Sequence, residues 1–334
     1  MRPAARMVYS AAGRSVFIDA KDEWSAQSVV DVFDSWFFTP IDPHSVATPD
    51  VTIEIQSGIA LSPMPGDLQN FEIIHGGTCY TDNQTYYLDF DGSRVIFGPG
   101  TARQVQLWVN KPGECSLARF TQLLSHALSP ALRRCGVFEI HSGGVLAPGN
   151  EKAIMIAGPS GSGKSTLTSQ LARCGWRYLS DDILLMHGVD NEIKVQAFRR
   201  FFALTAETLA AAKLSRTDLN SMPGVAKERV VPEDHFDTIP VQQATPGTIC
   251  FVGIASAANT SVVALTPSET MAKLLRLCPW ASYDKPTSGE HLRTLGLLAQ
   301  TTSAFDLRTG VDVLEKPETV AAILSEIAST ALSV

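Results

Sequence analysis

Nine consecutive residues constrain this chain more than any other stretch: Gly158, Pro159, Ser160, Gly161, Ser162, Gly163, Lys164, Ser165 and Thr166. They follow the apolar run Ala153-Ile154-Met155-Ile156-Ala157 and open a helically spaced segment that stops at Gly175. Gly158 through Ser165 fit the spacing G-x-x-x-x-G-K-[ST] in a strand, turn and helix context, the arrangement a phosphate-binding loop requires. Gly158, Gly161 and Gly163 lack a Cβ and are expected to take positive φ cheaply, turning their amides inward. Such amides at a helix N-terminus make an anion nest. Lys164 adds a point charge for the outer phosphates, and the Ser165 hydroxyl suits Mg²⁺.

Around that loop there is room for two domains, because the chain has 334 residues and is 45% hydrophobic. Its net charge of -7 gives no electrostatic footprint for nucleic acid. Six cysteines are scattered with no C-x-x-C pair, which reads as small buried hydrophobes in a reducing compartment rather than a zinc site. Arg2, Arg6 and Arg14 have no apolar stretch between them, so no standard secretory signal is expected, and the cytoplasm is the default location. The longest weakly polar stretch, Gly247 to Leu265, is broken by Ala257-Ala258-Asn259-Thr260-Ser261 and reads as two strands joined by a turn, not a membrane span.

Residues 1–112 are expected to form a mainly β, N-terminal α+β region. Short strands at Met7–Tyr9 and Ser15–Asp19 precede a helix over Ser25–Phe38, ended by Pro40 and Pro43. Period-two alternation marks a strand at Asp50–Gln56. Phe71–His75, Cys79–Thr81, Thr85–Phe90, Val95–Phe97 and Val105–Val109 follow, separated by hairpin punctuation. Lys111-Pro112-Gly113 marks a boundary. Asp89 and Asp91 flank a turn and read as solvated turn residues. Residues 113–334 are expected to form the second domain. Its first helix carries Leu117, Phe120, Leu123, Leu124, Ala127, Leu128 and Leu132 on one face, expected to pack on that second domain. Strand Arg177–Ser180 ends in Asp181-Asp182. Ser215–Asp237, polar and charged, with Lys227 and Arg229, reads as a lid. Thr266-Pro267-Ser268-Glu269 is a capping box opening a helix through Leu277, and a last helix starts at Pro317.

A phosphate loop serves many chemistries. No L-S-G-G-Q stretch of the transporter ATPases occurs, and the only Asn-Lys pair, Asn110-Lys111, runs into Pro112 and Gly113 rather than an N-K-x-D base reader. The combination present is Glu139-Ile140-His141-Ser142-Gly143-Gly144-Val145, then the loop, then Tyr178-Leu179-Ser180-Asp181-Asp182. From about Leu117 to Met186 this resembles the C-terminal catalytic domain of HPr kinase/phosphorylase and the related serine kinases, which share a core with phosphoenolpyruvate carboxykinase. The resemblance implies an α/β fold, a P-loop kinase domain beside the N-terminal region, and ATP and Mg²⁺ as cofactors. It implies that residues 158–166 hold the nucleotide phosphates, Ser165 and one carboxylate hold the metal, and the other carboxylate accepts the acceptor hydroxyl's proton. Asp181 is the favoured base, Asp182 the metal carboxylate, and His141 lies beside them. Adjacent carboxylates on extended backbone point to opposite faces, consistent with two roles. The sequence departs from true HPr kinases where L-E-I-R-G-x-G is expected: it has Ile193-Lys194-Val195-Gln196-Ala197-Phe198-Arg199-Arg200, which argues against HPr as the substrate. Arg199 or Arg200 could meet a transferring phosphate or an acidic substrate.

The expected activity is therefore transfer of a γ-phosphate to a hydroxyl, with Ser of a protein or peptide first and a small molecule as the alternative acceptor. A nucleotide-gated regulatory or assembly protein is the alternative of another class. Residues 1–112 are expected to help select the substrate, and family relatives suggest a homo-oligomer.

Overall fold

The computed structural model describes residues 5–73, 76–100, 102–190, 192–214, 220–221 and 227–330. The chain divides into two compact units, one of residues 1–138 with 280–291, the other of 139–279 with 292–334.

The first unit is built on β1 (Ala5–Ala11), β2 (Arg14–Ala20), α1 (Glu23–Phe33), β3 (Thr39–Ile41), β4 (Val51–Ser57), β5 (Gln69–Ile73), β6 (Gly77–Thr81), β7 (Tyr86–Phe90), β8 (Ser93–Phe97), β9 (Gln104–Val109) and α2 (Leu117–Arg133). Its strands form one sheet in the order β3-β1-β2-β4-β9-β8-β7-β6-β5, parallel at β2–β4 and β4–β9 and antiparallel elsewhere. One face buries Val51, Ile53, Ile55, Val105, Leu107 and Val109 in strict alternation, and α2 packs on β4, β8 and β9. Two expectations are corrected here. Helix α1 ends at Phe33, with Ser35 Oγ donating to Val32 O at 2.7 Å, and Trp36 and Phe38 instead fold back around the Phe33 ring. Helix α2 packs on the first unit's sheet, so this unit extends past residue 112 to Phe138. Of the expected strand Phe71–His75, residues Ile74 and His75 lie outside the described residues.

Residues 280–291 complete that unit. Asp284, fully buried, accepts from Arg133 Nε at 2.9 Å and from Arg134 Nη1 and Nη2 at 2.7 and 3.1 Å. The two guanidiniums lie over Trp280 and Phe97, at 4.6 and 4.8 Å. Both arginines come from the last turn of α2, where positive charge also complements the helix dipole.

The second unit contains β10 (Val137–Leu146), β11 (Lys152–Ala157), α3 (Lys164–Arg173), β12 (Arg177–Ser180), β13 (Ile183–Val189), β14 (Glu192–Ala197), β15 (Phe202–Leu204), α4 (Ala206–Ala211), β16 (Asn220–Ser221), β17 (Glu228–Val230), β18 (Gln243–Ile254), β19 (Ser261–Leu265) and α5 (Pro267–Leu277). After α6 (Trp280–Tyr283) and α7 (Lys285–Thr301) come β20 (Ser303–Thr309), α8 (Asp312–Glu315) and α9 (Pro317–Thr330). The main sheet runs β11-β10-β13-β14-β18-β20-β19, and β12 pairs with β10. β11 also pairs with β18 in parallel, and β18 pairs with β20 in parallel. β18 and β19 are the two strands expected around residues 257–261, but β20 is inserted between them. A core of Ile154, Ile156, Cys250, Val252 and Leu307 from the sheet meets Leu167 and Leu171 of α3 and Val320 and Leu324 of α9. The Thr266–Glu269 capping box forms as expected. All six cysteines are free thiols. Among the described residues no helix is long and apolar enough to cross a membrane.

Candidate active site

β11 delivers the chain into the glycine-rich turn, and α3 starts at Lys164 with Gly163 as its N-cap at φ 93°. No side chain caps that terminus, so the first-turn amides are left for an anion. Gly161 is also left-handed, at φ 79°. Gly158 is not, which corrects the expectation for it. Its requirement is space: a Cβ there would lie 2.6 Å from Ser162 Oγ and 2.9 Å from Val252 O. Pro159, Ser160 and Gly161 are exposed on the crest, whereas Ser162 is buried with its Oγ lacking a hydrogen bond. Lys164 folds back and donates to Gly158 O at 2.8 Å and Pro159 O at 3.1 Å. Burial pushes its pKa down, opposed by Asp182 and Asp181, while Lys227 lowers it further. Thr166 turns aside, its hydroxyl 2.9 Å from that of Thr208 on α4.

The acidic pair sits just past β12. Ser180 Oγ accepts from the N–H groups of Asp182 and Ile183, both at 3.3 Å, and fixes the turn. The two carboxylates leave this turn in different directions. Asp181 is 1% exposed, and its Oδ2 accepts from Ala203 N–H at 3.2 Å, while Oδ1 has no hydrogen bond. Burial raises its pKa, with Asp182 adding to the rise. The Ala203 amide, Arg199 and the Ser165 hydroxyl pull it back. Asp182 turns the other way. Its Oδ1 is 3.3 Å from His141 Nδ1, its Oδ2 is 3.6 Å from Arg199 Nη1, and 26% of its side chain is exposed. Burial works to raise its pKa, but the His141 hydrogen bond, Arg199 and Lys164 hold it far below the ordinary carboxylate range. The same hydrogen bond raises the pKa of His141, against burial.

β10 brings His141 to this place. Its Gly144 pairs with Ser180 of β12 in antiparallel register, so residues just before Gly144 lie beside those just after Ser180. Gly143 has to be glycine, since a Cβ would come within 2.7 Å of Thr168 Oγ1 on α3 and 3.1 Å of Ser180 O. The pair of glycines after His141 thus lets α3 and the acidic turn approach the sheet.

His141, Lys164, Ser165, Asp181, Asp182 and Arg199 converge. Arg200 is exposed, one residue beyond the cluster. Arg199 and Arg229 lie over the Phe201 ring, at 5.9 and 4.5 Å. Of the expected lid, residues 215–219 and 222–226 lie outside the described residues, and β16 and β17 join β15 in a small sheet. The sequence reading missed Ala203 and Phe201: Ala203 contributes only backbone, which leaves no residue-type signal. Ser180 was read only as the end of the strand Arg177–Ser180, and the hydroxyl that fixes the following turn was missed. Among the described residues no cluster of three or more His, Cys, Asp or Glu is placed to hold a metal ion. A cation here would therefore share its shell with phosphate oxygens, and the orphaned Asp181 Oδ1 beside Ser165 offers the hard oxygen donors that Mg²⁺ takes.

No protein-family model matches the chain, and no curated protein matches it. Among solved structures it is similar to the HPr(Ser) kinase/phosphatase from Coxiella burnetii, with 8% identity over 57% of this chain and 97% of that one, at a TM-score of 0.30. This is a distant relationship of fold, and the reading of the site rests on its own geometry.

Proposed function

We propose that the second unit is an ATP- and Mg²⁺-dependent phosphotransferase that moves the γ-phosphate to a hydroxyl, with the sequence resemblance favouring Ser of a protein or peptide as acceptor. The observation that carries this reading is the divergence of Asp181 and Asp182 over an uncapped phosphate nest. One carboxylate turns inward beside Ser165, and the other turns outward beside His141.

Reach decides between the carboxylates before basicity does. Asp181, 1% exposed, is closed to an acceptor, and its unpartnered Oδ1 together with Ser165 would hold Mg²⁺. Such an ion would supply positive charge against the negative charge that develops on the phosphates during transfer. Asp182, partly exposed, orients the acceptor hydroxyl and takes its proton as the new P–O bond forms and the bond to the departing ADP oxygen breaks. This reverses the roles favoured from sequence. The low pKa of Asp182 is compatible with the role, because a loose phosphoryl transition state asks the base for orientation more than for driving force. His141 and Arg199 hold the carboxylate in place, and Lys164 supplies positive charge at the transferring group.

The test is incubation of the full chain with γ-labelled ATP, Mg²⁺ and the peptides and metabolites of the cell, which should label an acceptor. Asp182→Asn should lower transfer by about 10²–10⁴-fold while nucleotide still binds, and Asp181→Asn should raise the Mg²⁺ concentration needed. Full transfer by both variants would sink the mechanism. Nucleotide-dependent complex formation with no labelled acceptor would replace it with the regulatory reading.

A further inference from the structure

β11, β18 and β20 run parallel, and their C-terminal ends lie on one edge of the sheet. That edge is where open α/β sheets bind ligands. The phosphate loop leaves β11 there, Ile254 ends β18 and Thr309 ends β20. Between them is a cavity of about 230 Å³ lined by Gly163, Thr166, Ile254, Thr309, Val311 and Leu314, among others. It starts where the nest stops, for a Cβ on Gly163 would sit 3.5 Å from Ile254 Cγ1.

The walls are apolar and wet. Ile254 is 69% exposed, Val311 47% and Leu314 45%, so three of the large apolar side chains left in water rim this one hollow. The hydroxyls nearby are already committed: Thr166 pairs with Thr208, and Thr309 Oγ1 donates to Gly253 O at 3.3 Å. Glu207, the one charge in the lining, has its carboxylate engaged by the Thr205 hydroxyl and its own amide. What remains grips a ligand by its flat faces rather than its edges. The volume is below the roughly 300–1,000 Å³ that encloses a drug-sized ligand, so it accepts one ring system while the rest of the molecule lies outside.

We infer that this cavity holds the base of the nucleotide whose phosphates occupy the nest, with the heterocycle against Ile254, Val311 and Leu314. The inference rests on the phosphate reading of residues 158–166. Thr166, in the first turn of α3, stands between the two sites, where the sugar and first phosphate pass.

Titration calorimetry of the full chain with Mg-ATP and with tripolyphosphate separates the two sites. Ile254→Asn and Leu314→Gln change exposed side chains and add no charge. Each should weaken Mg-ATP about tenfold or more and leave tripolyphosphate unchanged. The base site is overturned if both probes weaken together, if neither changes, or if the unaltered chain binds tripolyphosphate as tightly as Mg-ATP. Failure of the unaltered chain to bind either probe would instead overturn the nest, and the base site with it.

Discussion

Two histidines of this chain titrate in opposite senses, and their environments say why. His291 is 1% exposed, stacked on Phe138 at 4.4 Å, and neither ring nitrogen has a hydrogen bond among the described residues. Burial, with Arg133 adding to it, pushes its pKa down to about 4. Below the ordinary value near 6.5 the unfolded chain takes up a proton that the folded one refuses until about 4. Stability therefore falls as pH drops through that window, by at most about 1.4 kcal/mol per pH unit from this group. His291→Phe, which keeps a ring against Phe138, should flatten the acid limb of urea-unfolding stability measured between pH 7.5 and pH 4.5. His141 works the other way. Its folded pKa is raised by Asp182, so its contribution is complete below the unfolded value and is lost as pH rises through the folded one. The sequence singled out His141 through its neighbours, but the carboxylate it would meet depends on a register between β10 and β12 that no local pattern displays.

At the scale of elements, the glycine-rich loop after β11 shows two different reasons for glycine within a few residues. Gly161 needs its left-handed backbone and has nothing within 4 Å of where a Cβ would stand, so Gly161→Ala should cost about 1–2 kcal/mol in strain and leave the loop's space intact. Gly158→Ala collides with Ser162 Oγ and the Val252 carbonyl, wedging the loop from β18. Tripolyphosphate titration should find binding lost in the second variant and largely kept in the first, with thermal melting reporting the strain. The motif showed where glycine was needed, and only the neighbouring strand shows why. The strands of the first unit were legible because alternation and turn residues are local: β4 and β9 fall within a residue of their expected bounds. α1 was read too long because Trp36 and Phe37 stand three and four residues after Phe33, a helical spacing that continues past the helix's end at Phe33. α2 displayed its apolar face but not its partner, since one amphipathic stripe fits any sheet with a matching surface.

For the molecule as a whole, the division of the chain was the least legible property. The turn at Lys111-Pro112-Gly113 is real, with a short 3₁₀ helix at Pro112–Glu114, yet the first unit continues beyond it and recruits residues from far along the sequence. Asp284 is about 150 residues from its two arginines, and nothing in the text of either segment announces the other. Removing it leaves two buried guanidiniums without their carboxylate, so Asp284→Ala should cost about 3–5 kcal/mol. Four of the five tryptophans, Trp24, Trp36, Trp108 and Trp280, belong to the first unit. Tryptophan emission in a denaturant titration should therefore register that loss as a lower midpoint.

The Asp284 clasp also sets an order of events during synthesis. A ribosome delivers domains N-terminal first, and each ordinarily folds as it emerges. Here the first unit's sheet and α2 are out early, but the carboxylate that neutralises Arg133 and Arg134 arrives only after α3 and most strands of the second unit have followed. Until then the nascent first unit carries two arginines without their carboxylate, so it gains the stability of that clasp only late in translation.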